Sequence, residues 1–278
     1  MSTTALLDQA AQRLRAADQL IIVAGCGLSV ESGLPDFNDE AGLRGHYPIL
    51  GQGRFTFQQL SSADFFIQHP RLAWELYGYR LHQQVLASPH AGHQILNEWV
   101  LGRRFDSMIF SSAVDDLLPK ALTLPNYLCQ HQGSMLHLQC SRRCSDDIWP
   151  IPHALLDVFT HLPYTPLDTL PCCPICQGVA RPNILLFHDP YWVPNRAQRQ
   201  YQQLSQRMQR FNRATVILEI GAGLSYPVSR RLSEYLKKRL NCSVVRINPE
   251  PTQLRNESED VHICLPAVHA LQHLQAQL

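Results

Sequence analysis

The chain has 278 residues, 45% of them hydrophobic, and a formal net charge of +1. That supports one large core plus a smaller satellite, and the near-neutral balance gives no footprint for a nucleic-acid or anionic-membrane partner. No apolar run approaches the roughly 20 residues of a spanning helix, and the amphipathic N-terminus, MSTTALLDQAAQRLRAADQ, lacks an apolar signal core, so a cytoplasmic location is expected.

Ala5, Leu6, Ala10, Leu14 and Ala17 recur at helical spacing and predict a first helix. The run Leu20–Ala24 is short and β-branched, which reads as a buried parallel strand. Gly25, Gly27 and Gly33 follow, interleaved with Ser29 and Ser32. A strand, a glycine turn and small hydroxyl residues let an α/β protein present free N–H groups to a phosphate. The spacing is not G-x-G-x-x-G, and a bare glycine loop also fits a plain strand-to-helix turn. From Phe37 to Phe57 the pattern is irregular and reads as a mobile loop. Pro70 opens a helix with Trp74, Tyr77, Leu81 and Val85 on one face, read as core. Pro89 breaks it, and Ile95, Leu96, Trp99 and Val100 mark another, with His93 read as a satisfied structural histidine.

Met108–Phe110 is the next strand, ending in Ser111-Ser112-Ala113-Val114-Asp115. Residues at the carboxyl end of a parallel strand face the ligand crevice. Asp115 also fits a helix N-cap, since a polar turn follows. A helix over about 195–211 leads to strand Val216–Ile220 and a second glycine turn, Gly221-Ala222-Gly223-Leu224-Ser225. Strand Val244–Asn248, strand Val261–Cys264 and a helix from about Ala267 complete the chain. The alternation implies an α/β fold with a Rossmann-like parallel sheet.

Nine cysteines are an odd number. Cys140, Cys144, Cys173 and Cys176 form a C-x₃-C…C-x₂-C set, which in a reducing compartment reads as metal ligation. Four thiolates fill a tetrahedral zinc site with no open position, so the metal would be structural. Cys172 adjoins the second knuckle and leaves the ligand choice open, as does the alternative of free buried thiols. The stretch between the knuckles is loop- and proline-rich, as expected of an insertion held together by a metal.

The run from Gly25 to Phe37, GCGLSVESGLPDF, resembles the sirtuin signature Gly-Ala-Gly-Ile-Ser-x-x-Ser-Gly-Ile-Pro-Asp-Phe-Arg. Cys26 stands where alanine is usual and Asn38 where the family has arginine. The resemblance continues through His90…His93, the zinc cysteines and Arg181-Pro182-Asn183, and covers nearly the whole chain. It implies a Rossmann-like NAD-binding domain (1–39, 88–135 and 182–278), a helical cofactor-loop insertion (40–87) and a zinc-binding module (136–181). It implies that Gly25, Cys26, Gly27, Ser29, Ser32, Gly33, Asp36 and Phe37 grip the pyrophosphate and fold over the nicotinamide ribose. Ser112 lines the crevice, Asp115 holds the nicotinamide amide, and Gly221, Gly223, Ser225 and Asn248 meet the adenosine half. NAD would be co-substrate and a protein or peptide the acceptor.

The departures bear on chemistry. Ala113 replaces an asparagine that sits beside the reacting ribose in the family, and His188-Asp189 replaces Gly-Glu on the strand that pairs with an acyl-lysine peptide. In the family a histidine directly precedes Gly-Ser; here Gln132 holds that position and His131 lies one residue early. In a strand, that offset turns a side chain to the opposite face, so His131 replaces the base only through a bulge. Glutamine cannot take a proton. The local string resembles that of some macrodomain-linked sirtuins, which also carry a glutamine here and are ADP-ribosyltransferases. Three readings follow: an NAD-dependent ADP-ribosyl-transferring enzyme using Gln132 and Asp115, a lysine deacylase using His131, and a non-catalytic NAD or ADP-ribose sensor.

Overall fold

The computed structural model describes residues 2–37, 39–102, 104–160, 166–250 and 260–278. The expectation attached to Asn38 lies outside them. In chain order the strands are β1 (Gln19–Ala24), β2 (Asp106–Ser111), β3 (Leu128–Gln130), β4 (Gly133–Cys140), β5 (Trp149–Pro150), β6 (Ala180–Ile184), β7 (Thr215–Ile220), β8 (Ser243–Ile247) and β9 (Val261–Ile263). Six form a parallel sheet in the order β3-β2-β1-β7-β8-β9, and β5-β4-β6 form a small antiparallel sheet.

The parallel sheet is covered on both faces, which is why its strands read as continuous apolar runs. Side-chain alternation sends Leu20, Ile22 and Ala24 of β1 toward helices Thr3–Ala16, Ala91–Leu101 and Ala267–Gln277. Ile21 and Val23 point the other way, toward Leu204 and Met208 of helix Asn195–Met208 and Leu236 of helix Val228–Leu240. No helix among the described residues is long and apolar enough to cross a membrane.

Four features of the structure go beyond the sequence-based expectation or differ from it. Residues 39–57 hold two short helices, Glu40–His46 and Pro48–Gly51, where a loop was expected. Pro48 at the start of the second and the burial of Leu43, Tyr47, Ile49 and Leu50 explain the order. Second, the helices between 40 and 86 pack on the small antiparallel sheet: Tyr47, Phe66, Trp74 and Tyr77 share a core with Met135 and Leu138 of β4 and Ala180 and Ile184 of β6. The Trp74 indole Nε1–H donates to the Ala180 carbonyl at 2.9 Å. Third, the strand alternation assumed for His131 and Gln132 does not hold. His131 and Gln132 form a turn that passes the chain from β3 in the large sheet to β4 in the small one. Fourth, His93 is fully buried, but neither ring nitrogen has a hydrogen-bond partner. Burial pushes its pKa down to about 3, so it is a neutral core side chain and not a satisfied one.

Candidate active site

The two glycine turns lie side by side at the carboxyl ends of β1 and β7. Gly25 N–H donates to Ile220 O at 2.8 Å and Gly27 N–H to Gly221 O at 3.1 Å. A Cβ on Gly25 would lie 2.2 Å from Gly221 O, and one on Gly27 2.8 Å from it. Gly221 itself has φ +59° and its Cβ would fall 2.3 Å from Leu28 N. Contact between the two turns therefore requires all three glycines, a reason the sequence does not announce. Asn248 Nδ2 donates to Ala222 O at 3.1 Å and braces the second turn. After Gly25 the chain forms the 3₁₀ helix Cys26–Ser32, closed by Gly33 at φ +88°. The Ser32 hydroxyl donates to Ser88 O at 2.8 Å.

A cavity of about 430 Å³ opens beside these turns. Cys26, Ser29 and Phe37 of the first loop, Ser112, Ala113 and Asp115 after β2, Gln132, and Ser225 of the second loop line it. Gly25, Gly27, Ser32, Gly33, Asp36, His131, Gly221, Gly223 and Asn248 are not on its wall. The glycines and Asn248 instead shape the loops that are.

Asp115 is the buried acid of this cavity. Its Oδ2 accepts from the Ser29 hydroxyl at 2.9 Å, and its Oδ1 accepts from Leu117 N–H at 3.1 Å. The second contact braces the turn that enters helix Leu117–Ala121, whose N-cap residue is Asp116 and not Asp115. Burial raises its pKa, opposed by these two hydrogen bonds. Burial, with Asp36 and Asp115 nearby, likewise pushes the Cys26 thiol up to about 11, so it is protonated and inert at neutral pH. The Ser112 hydroxyl lies 2.7 Å from that of Ser229, which donates to Ala24 O at 3.0 Å.

The turn at 131–132 decides which side chain meets the cavity. His131 N–H donates to Ser111 O at 3.2 Å, and Gln132 O accepts from Leu185 N–H at 2.9 Å. Gly133 follows at φ +90°, where a Cβ would lie 2.0 Å from Asn183 O. Gln132 is on the wall. His131 is off the wall and partly exposed, its Nε2 buried without a partner and its pKa lowered to about 4 by burial.

Three wall or support residues escaped the sequence reading, and a fourth, His188, figured there only as a replacement for the family's glycine. Asp116, 4% exposed, accepts from Gln130, Ser134 and Gln84; the acidic doublet after β2 was its one signal. Tyr77, read as core, is buried but also lines the cavity, and Arg80 lies one helical turn on. The Arg80 guanidinium lies 4.6 Å from the Phe37 ring centroid and 5.0 Å from that of Tyr77. His188 lines the cavity at a positive φ of 49°.

The sulfurs of Cys140, Cys144, Cys173 and Cys176 lie within 4.8 Å of one another, with Cys140–Cys176 at 3.7 Å and Cys144–Cys173 at 3.5 Å. Tetrahedral zinc with Zn–S of about 2.3 Å separates its sulfurs by roughly 3.8 Å, so the four thiols fit the ion. The Cys172 sulfur instead contacts Leu170 O at 3.4 Å.

Glycine turns at the carboxyl ends of adjacent parallel strands, a buried acid after the next strand and a four-cysteine cluster beside a second sheet make the arrangement of a dinucleotide-handling α/β enzyme. The Sir2 family profile matches residues 25–226. The chain is 24% identical over 250 residues to an NAD-dependent protein deacylase of Pyrococcus abyssi, covering 90% of this chain and 89% of that one. It is 29% identical over 251 residues to an NAD-dependent protein deacylase of Deinococcus radiodurans, covering 89% and 90%. The crystal structure of a Sir2 homolog–NAD complex superposes with a TM-score of 0.75 at 21% identity, over 97% of this chain and 92% of that one. This chain belongs to the Sir2 family; its cofactor is NAD, and its four cysteines are placed to hold a structural zinc.

Proposed function

We propose that this chain breaks the nicotinamide–ribose bond of NAD and transfers ADP-ribose to a protein acceptor, with lysine deacylation a minor activity. The observation that carries the reading is that Gln132 lines the cavity and His131 does not. Bound NAD supplies an electron-poor ribose carbon and a leaving group. The residues around it orient and exclude water. Asp115, fixed by Ser29 and the Leu117 amide, accepts from the nicotinamide amide and holds that ring in place. Gln132 orients a ribose hydroxyl by hydrogen bonding and leaves its proton where it is. Preorganised placement of this kind lowers the barrier to bond cleavage without a base. Completing deacylation needs a base at that position, and losing one costs about a hundred- to ten-thousand-fold.

Deacylation as the main activity is the second reading, favoured by relatives named as protein deacylases. The test is an assay of nicotinamide release, with and without an acetylated peptide, with the acceptor followed by intact mass. Release without the peptide, with mass added to a protein, supports transfer. Release strictly dependent on the peptide favours deacylation.

A further inference from the structure

Transfer to an acceptor raises a need that bond cleavage does not. The attacking O–H or N–H must lose a proton as it bonds to the ribose carbon, and a base at the cavity mouth would serve. Gln132 cannot supply it. Cys26 holds its proton, Tyr47 and Tyr77 have raised pKa values through burial, and Asp115 is engaged by Ser29 and Leu117.

His188 is the imidazole on the wall among the described residues, and it is exposed, so it faces an incoming acceptor and bulk water at once. Its backbone is held where glycine would be at ease, at φ +49°. The neighbouring groups enforce this. The Asp189 carboxylate accepts two bonds from the fully buried Arg181 guanidinium, at 2.7 and 2.8 Å. It also accepts from Leu186 N–H at 3.2 Å and Tyr191 N–H at 3.1 Å, fixing the chain on both sides of His188. Phe187 N–H donates to Ser61 O at 3.0 Å. An imidazole kept at a strained backbone position on a rigid loop at the mouth is the pattern of a residue retained for what its side chain does.

We propose that His188 is the general base for the acceptor in ADP-ribosyl transfer. The acceptor's proton passes to the free imidazole nitrogen as the acceptor–carbon bond forms. The carbon–nitrogen bond to nicotinamide breaks, its electron pair neutralising the pyridinium ring. His188 then releases the proton to solvent. The inference rests on the transfer reading above.

The test uses the full-length protein and two variants, His188→Gly and His188→Asn. Both residues tolerate a positive φ, so the loop keeps its shape. Nicotinamide release and ADP-ribose on the acceptor are measured separately from pH 5 to 9. In the wild type, transfer should vary with pH across that range. In both variants transfer should fall about a hundredfold or more and lose that pH dependence, while nicotinamide release persists and ADP-ribose goes to water. Added imidazole should restore transfer in His188→Gly. By NMR, ADP-ribose should move the His188 ring resonances of the wild type. Unchanged transfer and pH profile in both variants would overturn the assignment, as would a higher KM for the acceptor with an unchanged profile, or ring resonances indifferent to ADP-ribose. Absence of nicotinamide release from the wild type would instead refute the function proposed above.

Discussion

The Ser134 hydroxyl donates to both carboxylate oxygens of Asp116, at 3.0 and 3.2 Å. The same carboxylate accepts from Gln130 at 3.4 Å, so one acid ties the end of β3 to the start of β4 across the His131–Gln132 turn. Gln130 is held in turn by Arg196, whose Nη2 donates to its Oε1 at 2.8 Å. The identity of the side chain presented to the cavity thus depends on a residue that does not line it. Asp116→Asn should lose about 1–3 kcal/mol of stability, because it turns an amide donor toward groups that already donate. It should also lower nicotinamide release at temperatures where the variant stays folded. Denaturant titration with a parallel activity assay checks both effects. Unchanged stability would mean the clamp contributes nothing.

Zinc is the second prediction. Purified protein should hold close to one zinc, measured by elemental analysis. Cys173→Ser should lose the metal and much of its soluble yield, since structural zinc contributes about 10 kcal/mol or more to folding such modules. Cys172→Ser should keep both, because that sulfur is turned away from the set. Metal-free folded protein, or zinc loss from Cys172→Ser, would refute the assignment.

The glycine turns make a third. Gly25→Ala should weaken NAD binding in calorimetry by tenfold or more and lower the unfolding temperature. Its methyl group has nowhere to go with Gly221 O at 2.2 Å. Gly33→Ala meets open space and should be milder, limited to the cost of φ +88°. Equal effects from the two would remove the argument from contact between the turns.

Acid sensitivity is the fourth. His93 and His131 titrate near 3 and 4 in the folded protein, below the ordinary value of 6.5. The unfolded chain therefore binds protons that the native state refuses. Their contribution to stability is present above about pH 6.5 and is lost as pH falls toward 4. Asp115 has a raised pKa and works in the opposite sense. The histidine contribution is therefore read by difference: from pH 7 to pH 5, stability should fall less in His93→Gln than in the wild type. Parallel curves would contradict the burial argument.

Much of the fold could be read from the chain. The apolar runs of β1 and β7, each followed by a glycine turn, announce a parallel sheet with its crevice, and four cysteines at knuckle spacing announce the metal. Local pattern cannot show what depends on contacts distant in sequence. Asp116 matters through Gln84, Gln130 and Ser134, and Gly25 through Gly221. Tyr77 has the spacing of a core residue, and it is one, but its helix also borders the cavity. The register that puts Gln132 before Gly133-Ser134 was legible by counting back from Cys140. The backbone there is a turn and not a strand, because Gly133 at φ +90° packs against Asn183.

The account's central claim is that Gln132, and not His131, meets the cavity. The most direct measurement compares deacetylation of an acetylated peptide with nicotinamide release in the wild type, His131→Ala and Gln132→Ala. The account predicts slow deacetylation in all three. Nicotinamide release should be close to the wild-type rate in His131→Ala and lowered in Gln132→Ala, where the ribose is no longer oriented. Brisk wild-type deacetylation that disappears in His131→Ala would contradict it.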